Sequence, residues 1–200
     1  MHGRRNRAAL LWIAATTLAA TLAFSAVAAT DKGPAEQAAH AISTLSDVDW
    51  SISDGDELLR RVISQSSKDG LEQLAAHGDA KAETLVGIGL FSGFSGFPED
   101  EKAADELFRK AVEQNFAGAE VMLGVSHVGR SQEDDEMAVE LFRKAANQGD
   151  AGGEICLGDM YREGLGGLVE DRAKAIELYR KSADQGDQLA IDRLHSLGIS

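Results

Sequence analysis

Residues 143–161 read RKAANQGDAGGEICLGDMY. Nearly the same phrase begins upstream at Arg109, as RKAVEQNFAGAEVMLGVSH, and downstream at Arg180, as RKSADQGDQLAIDRLHSLG. Extended backwards, the copies align as DELFRKAVEQ (105–114), VELFRKAANQ (139–148) and IELYRKSADQ (176–185), spaced by 34 and then 37 residues. Repetition at this period marks an all-α solenoid of stacked helix pairs. One pair cannot bury its own apolar face, and stacking copies does.

Each repeated residue type has a physical reason. Ala104, Leu107, Phe108 and Ala111 return as Ala138, Leu141, Phe142 and Ala145, then as Ala175, Leu178, Tyr179 and Ser182. Offsets of three, four and seven put them on one helical face. The pairs Arg109-Lys110, Arg143-Lys144 and Arg180-Lys181 fall near the helix end, where cations complement the dipole. Asp100, Asp134 and Asp171 stand where this helix starts and read as N-caps, each worth about 1 kcal/mol. Gln114-Asn115, Gln148-Gly149 and Gln185-Gly186 end it, with Gly or Asn suited to the left-handed closing residue.

The other helix of each pair is read from 80–93, 117–130 and 151–164. Val86-Gly87, Leu123-Gly124 and Leu157-Gly158 repeat a large-then-Gly pair within it. A mid-helix Gly costs about 1 kcal/mol relative to Ala, so its recurrence implies a close passage of the neighbouring helix. Glu83, Glu120 and Glu154 recur early in this helix and read as dipole-complementing acids. Residues 188–200 supply a last helix without a partner, as a solenoid cap.

These residues resemble the Sel-1-like repeat, a relative of the tetratricopeptide repeat. The likeness rests on Ala119 with Leu123-Gly124, on Leu157-Gly158 with Tyr161, on the turn GLGGLVED (164–171), on Lys174-Ala175 and on KAANQGD (144–150). It runs from about residue 78 to 200. The first copy has Leu90 and the second His127 in the place of Tyr161, and the second has a shortened turn, GRSQED. The resemblance implies a right-handed α-solenoid of antiparallel helix pairs used as a protein-interaction scaffold, with the first helix of each pair lining a concave groove. By position the groove candidates are Thr84, Ile88 and Phe91, then Val121, Val125 and Val128, then Ile155, Asp159 and Arg162. An apolar strip of this kind suits a peptide; the competing reading is that Val121 and Ile155 pack against the next repeat.

The organisation expected is a signal peptide over 1–28, a linker or N-terminal cap with one short helix over 29–53, and a degenerate helix pair over 54–77. Repeats then follow over 78–116, 117–150 and 151–187, with the capping helix over 188–200. AEQAAHAISTL (35–45) and DELLRRVISQ (56–65) read as helices, SDVDWSISDGD (46–56) as a loop, and Trp50 as a plug against the first repeat. Arg4, Arg5 and Arg7 precede an uncharged run, Ala8 to Thr30, which contains Ala26-Val27-Ala28. That pattern reads as a secretory signal with cleavage expected after Ala28, the alternative being a retained membrane anchor. The location expected is therefore periplasmic or secreted.

The chain carries a formal charge of −13, and cleavage would remove three positive charges and no negative ones. Such acidity disfavours nucleic acid and anionic lipid as partners. Cys156 is the sole cysteine and lies in an apolar row, so it reads as an inert buried thiol. His2, His40, His77, His127 and His195 fall in no metal or triad spacing. No catalytic residue, metal or cofactor is expected. The expected function is a non-enzymatic adaptor in the bacterial cell envelope, monomeric alone, with a protein or peptide partner. The alternative is a hydrolase or inhibitor acting on cell-wall peptides.

Overall fold

The computed structural model describes residues 33–46, 50 and 55–199. The expected signal peptide, and most of the expected loop at 46–56, lie outside the described residues. All the regular structure described is helical: α1 Pro34–Ser43, α2 Gly55–Gln65, α3 Lys68–Ala76, α4 Ala80–Ser92, α5 Glu101–Glu113, α6 Ala117–His127, α7 Gln132–Asn147, α8 Ala151–Glu163, α9 Arg172–Asp184 and α10 Gln188–Ser196. The helix pairs are α4 with α5, α6 with α7, and α8 with α9; α10 closes the stack on α9.

The repeated glycines have a specific neighbour. A Cβ at Gly87 would stand 2.5 Å from the Phe108 ring, and one at Gly158 would stand 2.6 Å from the Tyr179 ring; Gly124 meets Phe142 in the same way. The close passage is thus an aromatic ring of the second helix laid on the first helix of its own pair. Phe108, Phe142 and Tyr179 are all fully buried there, and aromatic burial of this size dominates a small core.

Caps follow the sequence at two of three expected sites. Asp100 and Asp171 accept from the backbone N–H of Ala103 and Lys174 at 3.0 and 2.9 Å. Asp134 is not a cap. Helix α7 begins a turn earlier, and Ser131 caps it by accepting from the Asp134 N–H at 3.1 Å. The first helices have caps of their own at Asp79, Asp150 and Asp187, while Phe116 takes that place in α6 without a side-chain bond. Asn115 closes α5 at φ 58°, matching Gly149 and Gly186.

The turns of the first and third repeats share one backbone. Phe94 and Leu165 N–H donate to Gly89 and Met160 C=O, both at 3.1 Å; Asp100 and Asp171 N–H donate to Leu90 and Tyr161 C=O, both at 2.8 Å. The second turn is shorter and has none of these bonds. There Val128 N–H donates to Gly124 C=O and Arg130 N–H to His127 C=O.

The N-terminal part departs from the expected pair over 54–77. Helix α3 packs against α1 and α4, and α2 packs against α4 and α1. A Cβ on Gly70 of α3 would collide with the backbone C=O of Pro34, so the start of α1 lies directly on α3. The helix assigned to the linker therefore supplies the partner that α2 was expected to be. Trp50 fills the corner as expected: it is buried, and its ring meets Phe116 edge-on at 4.9 Å between centroids.

Candidate functional site

The first helices of successive pairs pack on one another, α4 with α6 and α6 with α8, whereas α5, α7 and α9 form no comparable row. Closer spacing on one side of a stack is the inner side of its curvature, so the first helices line the inner face.

Four of the nine groove candidates are not available there. Thr84, Val121 and Ile155 are 0% exposed, and Ile88 is 7% exposed. Val121 belongs to a core with Cys156, Leu157 and Met160 of α8, and Ile155 to one with Ala190 and Leu194 of α10. Residues at this position point at the next repeat, and tight stacking of the first helices leaves no gap for a partner. Thr84 turns its hydroxyl inward to donate to Ala80 C=O at 2.8 Å. Ile88 lies under the start of α2, 3.5 Å from where a Cβ of Gly55 would stand.

The other five can be reached. Phe91 and Val125 are half-buried at the edges of the core, and Val128 is 39% exposed. Asp159 and Arg162 are half-buried and part of a polar node. Asp159 accepts from Tyr179 Oη at 2.6 Å and from Arg193 Nε and Nη2 at 3.1 Å each, and Arg162 lies 3.3 Å from it. Arg193 belongs to α10, so the node also fastens the final helix. Burial and the bond to Asp159 push the Tyr179 phenol above its usual range.

Two polar features escaped the sequence reading. Glu83, Glu120 and Glu154 are buried, and each accepts from the amide of the Gln that ends the second helix of its pair: Gln114 at 2.8 Å, Gln148 at 2.7 Å and Gln185 at 2.9 Å. The recurring Gln beside the recurring Glu was the available signal. Burial raises all three carboxyls above the ordinary range, opposed by Lys110, Lys144 and Lys181 respectively. The second feature is His127, whose ring is wedged between Asp105 and Asp134.

Cys156 is buried, and burial pushes its thiol far above the usual range, opposite to what a nucleophile needs. Among the described residues no cluster of three His, Cys, Asp or Glu side chains is arranged to hold a metal, and no helix is long and apolar enough to cross a membrane.

Three stretches of the chain match the family described as Sel1 repeat: residues 80–116, 117–150 and 157–187, just over half of its length. The chain belongs to the Sel1 repeat family. No curated protein matches it. Among solved structures, this Sel1 repeat protein is similar to a Sel1 repeat protein from Oxalobacter formigenes, at 29% identity and a TM-score of 0.51, over 63% of this chain and 95% of that one. It is also similar to c5321, a protective antigen present in uropathogenic Escherichia coli strains and displaying an SLR fold. There the identity is 26% and the TM-score 0.58, over 84% of this chain but 37% of that one, so the chain spans about a third of c5321. Sel1 repeats are helical solenoids that generally mediate protein–protein interaction, and the fold is typically a non-catalytic scaffold.

Proposed function

We propose that this Sel1 repeat protein is an exported adaptor of the bacterial cell envelope that holds a partner protein or peptide along Phe91, Val125, Val128, Asp159 and Arg162. The observation that carries the reading is the contrast within the inner face. The residues that stack the repeats are sealed in the core, while Phe91, Val125, Asp159 and Arg162 are half-buried and Val128 is exposed. The strip runs from apolar to charged, which suits a segment with apolar side chains and one polar end. The acidity of the chain favours a neutral or basic partner. Export is supported by Arg4, Arg5 and Arg7 ahead of the uncharged run that contains Ala26-Val27-Ala28.

The test is to express the full chain with a C-terminal tag in an exporting host, measure the mass of the mature protein, cross-link, and identify what co-purifies. The expected result is a chain beginning at Ala29 with a stoichiometric envelope protein attached, and loss of that protein when Val128→Asp and Arg162→Glu are combined. A partner retained by the folded double variant removes the strip from the reading. A chain that keeps its first residues and stays in the cytoplasm removes the envelope.

A further inference from the structure

Trp50 is 5% exposed, and the residues around its ring come from two repeats. Phe116, just ahead of α6, meets the indole edge-on at 4.9 Å between centroids. A Cβ at Gly118 would already touch indole Cε3 at 3.4 Å, so no longer side chain has room there. The Lys81 ammonium, from the first turn of α4, lies 5.8 Å from the ring centroid. Lys81, Ile88 and Ser92 follow one another at seven and four residues and share one stripe of α4. Gly118 and Val125 stand in the matching stripe of α6. The chain itself touches the α4 stripe at both ends. Trp50 lies by Lys81, Gly55 lies on Ile88, and Asp56 accepts from Ser92 Oγ at 2.8 Å. We propose that Trp50 is a resident ligand of the inner face: its socket between α4 and α6 binds an aromatic side chain, and a partner segment carrying phenylalanine takes the socket over.

Two observations set the socket apart from ordinary core packing. The first is Phe116. Helices α4, α8 and α10 each begin at an aspartate, Asp79, Asp150 and Asp187, whose side chain caps the helix; at α6 that place holds Phe116 and the side-chain bond is lost. A cap stabilises a helix start, so the second repeat gives one up where it supplies the aromatic wall. The second is the indole nitrogen. Nε1–H of Trp50 is buried with no acceptor among the described residues. A buried donor left unpaired is costly, and it regains a partner in water when the ring leaves. The socket offers an aromatic edge, a bare glycine and a cation, all of which a phenyl ring uses, and nothing for an N–H. Phenylalanine therefore fits without the cost that Trp50 carries. Because the resident ring is tethered, a partner competes against an effective concentration in the millimolar range. The socket lies at the starts of α4 and α6, whereas Val125 and Val128 lie towards the end of α6, so it does not depend on the strip proposed above.

The test uses the full chain with Trp12→Phe, which leaves Trp50 as the sole tryptophan, and N-acetyl-phenylalaninamide as the probe. Probe at up to about 20 mM should move the Trp50 emission towards that of indole in water while the helical circular dichroism stays constant. Nitrogen–proton spectra of the same titration should show Gly118 and Lys81 among the most shifted amides. Trp50→Ala removes the competitor, so the probe should bind at least about threefold more tightly at those amides. N-acetyl-glycinamide, which has no ring, should do neither. Phe116→Asp restores the cap that α4, α8 and α10 share and removes the aromatic wall. It should keep the helical signal, expose Trp50 without any probe, and abolish probe binding. An emission unchanged at the highest probe concentration overturns the proposal, as does a shift that comes only with loss of helix. Equal affinity with and without the Trp50 side chain overturns it too. If Trp50→Ala does not fold, Phe116→Asp decides, and a Trp50 that stays buried there overturns the socket.

Discussion

The first and third repeats cross from one helix to the next through eight residues, Gly93–Asp100 and Gly164–Asp171, whose backbone bonds coincide. The second repeat makes the same crossing through a turn too short for those bonds, with α7 extended by one turn at its start. Its spacing is kept by side chains: His127 on Asp105 and Asp134, Arg130 on Glu101, and Asp135 on Gly129 N–H. A solenoid needs constant spacing between its layers, and backbone or side chains can supply it. The backbone version tolerates many side chains, while the side-chain version depends on these particular residues.

The largest effect should come from breaking the backbone version. Gly166 of the third turn has φ 59°, and a Cβ there would stand 2.5 Å from Asp135 C=O and 2.6 Å from Val139 of the repeat before it. Ser95 occupies the matching place in the first turn at φ 54°. Gly166→Ser should therefore cost about 2–4 kcal/mol in urea unfolding, from strain plus overpacking. The reverse change in the first turn, Ser95→Gly, should gain up to about 1 kcal/mol by relieving the strain alone. Equal and opposite effects would mean that the two turns are not held differently by their neighbours.

Next come the ties common to all three repeats. Gln148→Leu leaves the buried carboxylate of Glu120 without its amide donor and should cost about 1–3 kcal/mol at neutral pH. Glu120→Gln should do the opposite. Burial raises the carboxyl in the folded state, so its contribution is full at acid pH and is lost as pH rises through the folded value. The variant should thus gain on the wild type between about pH 4 and pH 7, read as a rising difference in melting midpoint. A constant difference would show that the carboxyl is not perturbed.

Smaller still is Asn115→Gly, which places in the first repeat the residue used at the same left-handed position by the other two. It should add about 0.5–1 kcal/mol in chemical denaturation. At the bottom of the scale, Val128→Asp should change stability by no more than about 0.5 kcal/mol, because its side chain is exposed.

The stacked helix pairs were legible in the sequence because they rest on local signals: apolar period, Gly and Asn at closing positions, and Asp100 and Asp171 at starts. Those signals need no knowledge of distant residues. Two local readings failed for reasons that distance supplies. Asp134 looked like a cap until α7 proved a turn longer, and α2 looked like the partner of α3 until α1 was found lying on Gly70. The candidate groove was only half legible. The helical period places Thr84, Ile88 and Phe91 on one side of a helix, but it does not say how closely the next helix sits. Ile88 and Phe91 share that side, yet the start of α2 covers the first and leaves the second half-open. Likewise His127 was a lone substitution in a repeat until folding brought Asp105 and Asp134 to its two nitrogens. Periodicity determines which residues share a face; only the packing of neighbouring elements decides which of them still meet solvent or a charge.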